Sequence, residues 1–274
     1  MVKTIIHMAD IHIRNYQYHS EYKEVFKRTC EMIKNLLKDN DFFESRVVIV
    51  GDLFHQKITV SNEQILLGSW FIRELNKICP VIITAGNHDL LENNKSRMDS
   101  ISPIIELLNL PTVKYYKESI CYEDSNIIWC NYSIFEENKR PDIESFKPNN
   151  EIEGKHTRIG LYHAPITGAT TDKGFSFDEH HTSLEHFEGC DIVMLGDIHK
   201  HQVFKHKNIQ IVYPSSLIQQ NYGESVKNHG FVLWDVESRT FKQHEVENNN
   251  SFYTFEVQSI NDLENHKEIY KNGE

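Results

Sequence analysis

Eight short apolar runs punctuate the chain: 3–8 (KTIIHM), 46–50 (RVVIV), 80–84 (PVIIT), 126–130 (NIIWC), 157–162 (TRIGLY), 191–195 (DIVML), 209–213 (IQIVY) and 230–234 (GFVLW). Each is rich in Val and Ile and stops at polar or turn residues. Runs this short, with little alternation, predict strands buried in a sheet interior. Between the early runs the apolar period lengthens to three and four. Residues 20–38 (Val25, Phe26, Cys30, Ile33, Leu36, Leu37) and 63–78 (Ile65, Leu66, Trp70, Phe71, Leu75, Ile78) predict amphipathic helices. Residues 98–108 predict a third, with Pro103 inside its first turns.

Strand–helix alternation in the first half, followed by strand after strand, predicts helices packed outside a two-sheet sandwich. The polar stretch 136–156 reads as a surface loop. Beyond about residue 250 the pattern weakens, so 1–250 is expected to be one domain and 251–274 a C-terminal extension, the start of a capping domain or a truncation point. Hydrophobic residues make up 39% of the chain, enough for a substantial core, yet no apolar run approaches the roughly 18 residues of a membrane span. The opening MVKTIIHMADIH has no apolar h-region, so a protein that is not secreted and does not sit in a membrane is expected. The five cysteines are widely spaced without a C-x-x-C pair, and read as reduced, mostly buried thiols of a cytosolic-type compartment. A net charge of -11 argues against broad, non-specific coating of nucleic acid. That figure counts buried carboxylates at full value, however, and bound cations would offset them locally.

Chemistry gathers where the strands end. HMADIH carries Asp10 and His12; VIVGDLFH carries Asp52 and His55; ITAGNHD carries Asn87, His88 and Asp89; GLYHAP carries His163; and MLGDIHKH carries Asp197, His199 and His201. Any one of these is also an ordinary turn sequence. Five apolar strands that each deliver Asp, Asn or His at the exit point to one convergent site, because layered sheets place ligand sites at strand carboxyl ends. Asp, His and Asn together select divalent ions of the Mn, Fe or Zn kind. Asp52 is placed to bridge two of them. Gly51, Gly86 and Gly196, just ahead of the ligands, let the backbone turn sharply beside the ions.

The order D-x-H, G-D-x-x-H, G-N-H-D, H, G-x-x-H resembles that of calcineurin-like metallophosphoesterases, and implies their four-layer α-β-β-α sandwich with a dinuclear metal site at the strand ends. Within that superfamily GDLFH, YHAPITGATTDKGF and YPSSLIQQNYGES followed by HGFVLWDVE resemble the SbcD-type DNA double-strand-break-repair nucleases, over about residues 3–238. The resemblance implies Asp10, His12, Asp52 and His199 on one ion, and Asp52, Asn87, His163 and the first ligand of the last motif on the other. The family writes that motif G-H-x-H where this chain has G-D-I-H. Asp197 is therefore expected as the ligand, with a rival register using His199 and His201. A carboxylate there favours harder ions, so Mn is expected, with Mg, Fe or Zn as alternatives.

By the same resemblance His88 stabilises the transition state or protonates the leaving oxygen, Asp89 orients its ring, and His55 contacts substrate. His180, His181 and His186 read as a solvated face, and His7 as packing. Arg14, Lys57, Lys95, Arg97, Lys173 and Lys200 lie on the loops after the metal-bearing strands. The function implied is a metal-dependent DNA nuclease, with 3′-to-5′ exonuclease and single-strand endonuclease activity, in repair or recombination. Its expected partners are DNA, an SbcC-type ATPase subunit and a second copy of the chain, in the cytoplasm or at the nucleoid. The alternatives are a phosphodiesterase or phosphatase acting on nucleotides or phosphoproteins, and a non-catalytic binding subunit on the same scaffold.

Overall fold

The computed structural model describes residues 1–57, 59–136, 139–149, 156–253 and 259–260. The first sheet contains β1 (Thr4–Met8), β2 (Ser45–Val50), β3 (Val81–Thr84) and β4 (Val113–Tyr116), all parallel, extended beyond β1 by antiparallel β11 (Gly230–Asp235) and β12 (Thr240–Glu245). The second is ordered β5-β6-β7-β8-β10-β9. Its parallel centre is β6 (Ile127–Tyr132), β7 (Thr157–His163), β8 (Ile192–Gly196) and β10 (Ile209–Tyr213). β5 (Cys121–Asp124) and β9 (Gln202–His206) close its edges antiparallel.

Successive residues of a strand face opposite sides, and the core follows that rule. Ile5, Val48, Val50, Ile82 and Trp234 of the first sheet meet Trp129, Leu161, Met194 and Val212 of the second between the sheets. Their neighbours Ile6, Met8, Val47, Ile49 and Ile83 pack outward against α1 (His19–Leu36) and α2 (Asn62–Asn76), whose Phe26 and Phe71 rings stack 3.9 Å apart. The other outer face, with Val193, Leu195, Ile211 and Tyr213, is covered by Ile143, Ile166 and Phe187 from loops and the 3-10 turn Leu184–Phe187. The expected α-β-β-α layering is thus present with its last layer built mainly of loop. Ile143, inside the stretch read as a surface loop, is one of its buried anchors.

The helix expected at 98–108 begins at Ser102, as α3 (Ser102–Leu108). Pro103 fits the first turn, where its missing N–H costs nothing. Asp99 Oδ1 accepts from the N–H groups of Ile101 and Ser102 and fixes the entry. At α2, Ser61 and Gln64 form a reciprocal capping box, and Gln64 Nε2 also donates to the carbonyl of Ile13 at 2.6 Å. One cap therefore starts a helix and anchors the loop leaving β1. Most of the extension expected at 251–274 lies outside the described residues. No helix among the described residues is long and apolar enough to cross a membrane.

Candidate metal centre

The carboxyl ends of β1, β2, β3, β7 and β8 meet along one rim of the sandwich. The loops after β1 and β2 are zipped together by backbone hydrogen bonds from Asp10, Ile11, His12 and Ile13 to the carbonyls of Gly51, Asp52 and Leu53. Holding those loops flush forces Asp10, His12 and Asp52 to positive φ, at 53°, 48° and 54°, and Asp197 after β8 sits at 91°. Left-handed backbone costs a non-glycine residue about 1–3 kcal/mol and persists where its surroundings dictate it, often at functional sites.

The side chains so placed converge. Nε2 of His12 lies 3.0 Å from Nε2 of His199 and 3.4 Å from Oδ2 of Asp52. The same Asp52 oxygen is 3.3 Å from Nε2 of His163, which lies 3.8 Å from Asp197 Oδ1 and 4.0 Å from Asp10 Oδ1. Asp52 therefore stands between two donor sets. Asp10, His12 and His199 form one compact group able to hold a cation, and Asp10, Asp52 and His163 form another. His12, His55 and His88 make a third group that shares His12 with the first.

Two polar atoms argue that these sets are built for cations. His163 Nε2 and Asn87 Oδ1 are buried and make no well-formed hydrogen bond. Buried polar atoms normally find partners, and both of these belong to the expected ligand set. His163 Nδ1 donates to the carbonyl of Val50 at 2.8 Å, which turns Nε2 toward the carboxylates as the nitrogen that would meet a cation. The glycines keep the space open. A Cβ on Gly86 would lie 2.1 Å from Asp52 Oδ1 and 2.6 Å from His163 Nε2, and one on Gly51 2.1 Å from His163 Nδ1.

The electrostatics agree. Burial, together with the nearby carboxylates of Asp52 and Asp197, pushes Asp10 up to about 7, against the pull of His163 and His199. Burial also raises Asp197 and drives His12 well below the usual imidazole range. At Asp52 burial is outweighed by His163 and His12, which hold the carboxyl below its ordinary value. Burial disfavours a charged His163, yet Asp52, Asp10 and Asp197 outweigh it and raise its pKa. Three buried carboxylates, Asp10, Asp52 and Asp197, crowd this pocket, and a divalent cation would relieve their mutual repulsion.

His55 and His88 line the rim, their rings 5.3 Å apart and nearly parallel. The His88 N–H donates to Asp52 Oδ1 at 2.8 Å, and its Nδ1 lies 2.6 Å from the carbonyl of His55. Asp89 does not orient that ring, contrary to the sequence expectation. Its carboxylate accepts from the backbone N–H groups of Leu53, Phe54 and Gly86, tying the loops after β2 and β3 together. The His88 ring is held instead by the His55 carbonyl, while the fully buried Asp89 carboxylate serves three backbone donors.

Asp197 joins the cluster, its N–H donating to Asp10 Oδ1 at 3.0 Å. His201 does not: its Nδ1 donates to the carbonyl of Tyr213 at 2.8 Å. Glu224 was not among the sequence candidates. It reaches His199 Nδ1 at 2.8 Å, from the YPSSLIQQNYGES stretch that had served only as a family signature. Nothing in its local pattern marks it as a partner of a residue 25 positions earlier. His186 is also not on a solvated face. It is half-buried against Tyr132 and Tyr162. Of the basic residues, Lys95 lines a cleft beside Asn87 and His163, while Lys173 and Lys200 line another beside His199. Lys57 pairs with Glu92, Arg14 donates to the Gln220 carbonyl, and Arg97 is exposed.

The calcineurin-like phosphoesterase family model matches residues 3–201, which contain every candidate ligand. The chain is also similar to uncharacterized protein R555 of Acanthamoeba polyphaga mimivirus, 40% identical over 259 residues, or 93% of this chain. It spans only 19% of that relative's length.

Proposed function

This chain belongs to the calcineurin-like phosphoesterase family, and from that premise we propose that it is a two-metal phosphodiesterase whose substrate is nucleic acid. The observation that carries the diester reading is a pair of clefts that meet at Asp197. One, of about 280 Å³, runs past Asn87, His163 and Tyr162. The other, of about 350 Å³, runs past His199, Lys173 and Lys200. A phosphodiester carries two substituents, and two clefts flanking one cation site give each of them room. A monoester would use only one. The two lysines suit the neighbouring phosphates of a polymer.

Asp10, His12, Asp52 and His199 would hold one cation, and Asp52, Asn87, His163 and Asp197 the other. When bound, such a pair supplies Lewis acidity, making water nucleophilic near neutral pH and neutralising charge on the phosphoryl oxygens. His88 donates from Nδ1 to the His55 carbonyl. Its Nε2 is then the atom that can hold a second proton and pass it to the leaving oxygen. Burial and the charge of Arg14 hold His55 at about 4, so it is neutral at pH 7 and can donate a hydrogen bond without carrying charge. Mn is the ion this reading favours, because Asp197 supplies a hard carboxylate where the family has imidazole. DNA repair or recombination, an SbcC-type ATPase partner, self-association and a cytoplasmic or nucleoid location follow from the nuclease reading and are proposed with it.

A second reading keeps the chemistry and replaces the polymer with a small nucleotide, and the net charge of -11 favours it. A scaffold that only binds is disfavoured by the complete donor set. End-labelled single- and double-stranded DNA incubated with Mn, Mg or EDTA separates these. Mn-dependent shortening, lost in His88→Ala, is the expected result. Intact DNA beside hydrolysed bis(p-nitrophenyl) phosphate would transfer the assignment to small nucleotides.

A further inference from the structure

The cleft beside Asn87 and His163 has walls unlike those of its neighbour. Tyr132 and Tyr162 are register partners at the carboxyl ends of parallel strands β6 and β7. Their ring centroids lie 6.0 Å apart at 72°. His186 completes the group, 5.1 Å from Tyr132 and 6.1 Å from Tyr162. The rings are pinned by their polar ends. The Tyr162 hydroxyl shares a 2.8 Å hydrogen bond with Thr182 Oγ1, and that of Tyr132 donates to the His186 carbonyl at 3.3 Å. Leu90, Ile134 and Pro165 add apolar surface to the same cleft.

We propose that this cleft is a nucleobase subsite, which would take the base of the nucleotide whose phosphate the cation site binds, with Tyr162 and His186 as its base-binding contacts. The inference rests on the phosphodiesterase reading and names the group that lies on one side of its phosphorus. Three points carry it. The cleft is continuous with His163, Asn87 and Asp197, so an occupant there is joined to the phosphoryl site by a short covalent link. Its volume of about 280 Å³ falls just below the roughly 300–1,000 Å³ range of ligand sites, which suits one planar ring system better than a peptide segment. Of its pre-fixed aromatic lining Tyr132 is buried, while Tyr162 and His186 are partly exposed and can offer a π-face, on which any base can stack without reading sequence. The imidazole of His186, whose pKa burial and the Arg140 charge lower, adds in its neutral form one donor and one acceptor for a base edge.

The test measures binding of 5′-dAMP and of 2-deoxyribose 5-phosphate to the 274-residue chain, in saturating Mn, by calorimetry. The two ligands share sugar and phosphate and differ only in the base. The expected result is that dAMP binds at least about tenfold more tightly, a ratio that one stacked base provides. In His186→Ala and in Tyr162→Leu that ratio should fall to within about threefold, while Tyr162→Phe, which keeps the ring, should retain most of it. Equal affinity of the two ligands for the unmodified chain would overturn the subsite, as would an unchanged ratio in both truncating variants. Hydrolysis of bis(p-nitrophenyl) phosphate by the same preparation keeps the two questions apart. Base-dependent binding without hydrolysis would fail the phosphodiesterase reading and spare the subsite. Hydrolysis without base dependence would do the reverse.

Discussion

Oε1 of Glu224 lies 2.8 Å from Nδ1 of His199, with Asn221 Nδ2 at 2.7 Å on the same oxygen and the Gln220 N–H at 2.7 Å on the other. The side chain is only 8% exposed. In a metal site this carboxylate–histidine arrangement fixes a ligand ring, and here it would leave Nε2 for an ion. Glu224→Ala should weaken Mn binding about 10–100-fold, as removal of such partners does elsewhere. Glu224→Gln, which can still accept, should lose less. Mn titration followed by electron paramagnetic resonance reads this directly, and unchanged affinity in the alanine variant would show that His199 needs no such support.

Gly86 is the sharpest steric constraint at the site. Its φ is not in the left-handed region, so alanine would be tolerated by the backbone. The added Cβ, however, would lie 2.1 Å from Asp52 Oδ1 and 2.5 Å from the Asp52 backbone nitrogen. Gly86→Ala should therefore displace Asp52, the ligand proposed to be shared by the two ions, and turnover should drop by at least about 100-fold, the scale of loss from misplacing catalytic groups by an ångström. Steady-state kinetics with a circular-dichroism control checks it. A folded variant with normal rate would mean that Asp52 is not the shared ligand.

How much of this was legible beforehand depends on where an element sits. The eight apolar runs all became strands, and all of them are interior strands of their sheets. Among the described residues, the four strands the pattern did not reveal, β4, β5, β9 and β12, are the four sheet edges. Sequences such as QVFKH and TFKQHE are half-exposed there, so they alternate or mix instead of forming an apolar block. The candidate ligands were legible for a related reason, since each ends or soon follows a buried strand. Glu224, the loop-tying role of Asp89 and the packing of His186 were not, because each depends on contacts between segments far apart in sequence. Local periodicity carries no such information.

Cation binding should stabilise the fold as well as enable chemistry. Asp10 and Asp52 are buried beside each other's charge, and Asp197 adds a third carboxylate. A ligand that binds only the folded state at about a thousand times its Kd adds about 4 kcal/mol, or roughly 8–16 °C in Tm for a chain of this size. Mn should raise the melting temperature by that order and EDTA should reverse it. A melting curve indifferent to both would argue that the cluster is a hydrogen-bonded network and holds no ion.

His7 gives a stability prediction independent of the metals. It is fully buried in β1, facing the second sheet, and its Nε2 donates to the Leu195 carbonyl at 3.0 Å. Burial holds its pKa down at about 3, with the Leu195 bond opposing only in part. In the unfolded chain the imidazole returns to about 6.5. Between those values the unfolded state binds the extra proton and the folded state does not. The contribution of His7 to stability is therefore fully present above about 6.5 and declines as pH falls towards 3, by up to about 1.4 kcal/mol per unit. His7→Gln keeps a donor for Leu195 and does not titrate. Urea unfolding in EDTA at pH 7.0 and 5.0 should show the unmodified protein losing about 2 kcal/mol more than the variant across that interval. All other ionisable groups are common to both proteins and largely cancel in the comparison. Parallel losses would mean that His7 accepts a proton without leaving the sandwich, and so that water or a rearranged strand reaches it between the sheets.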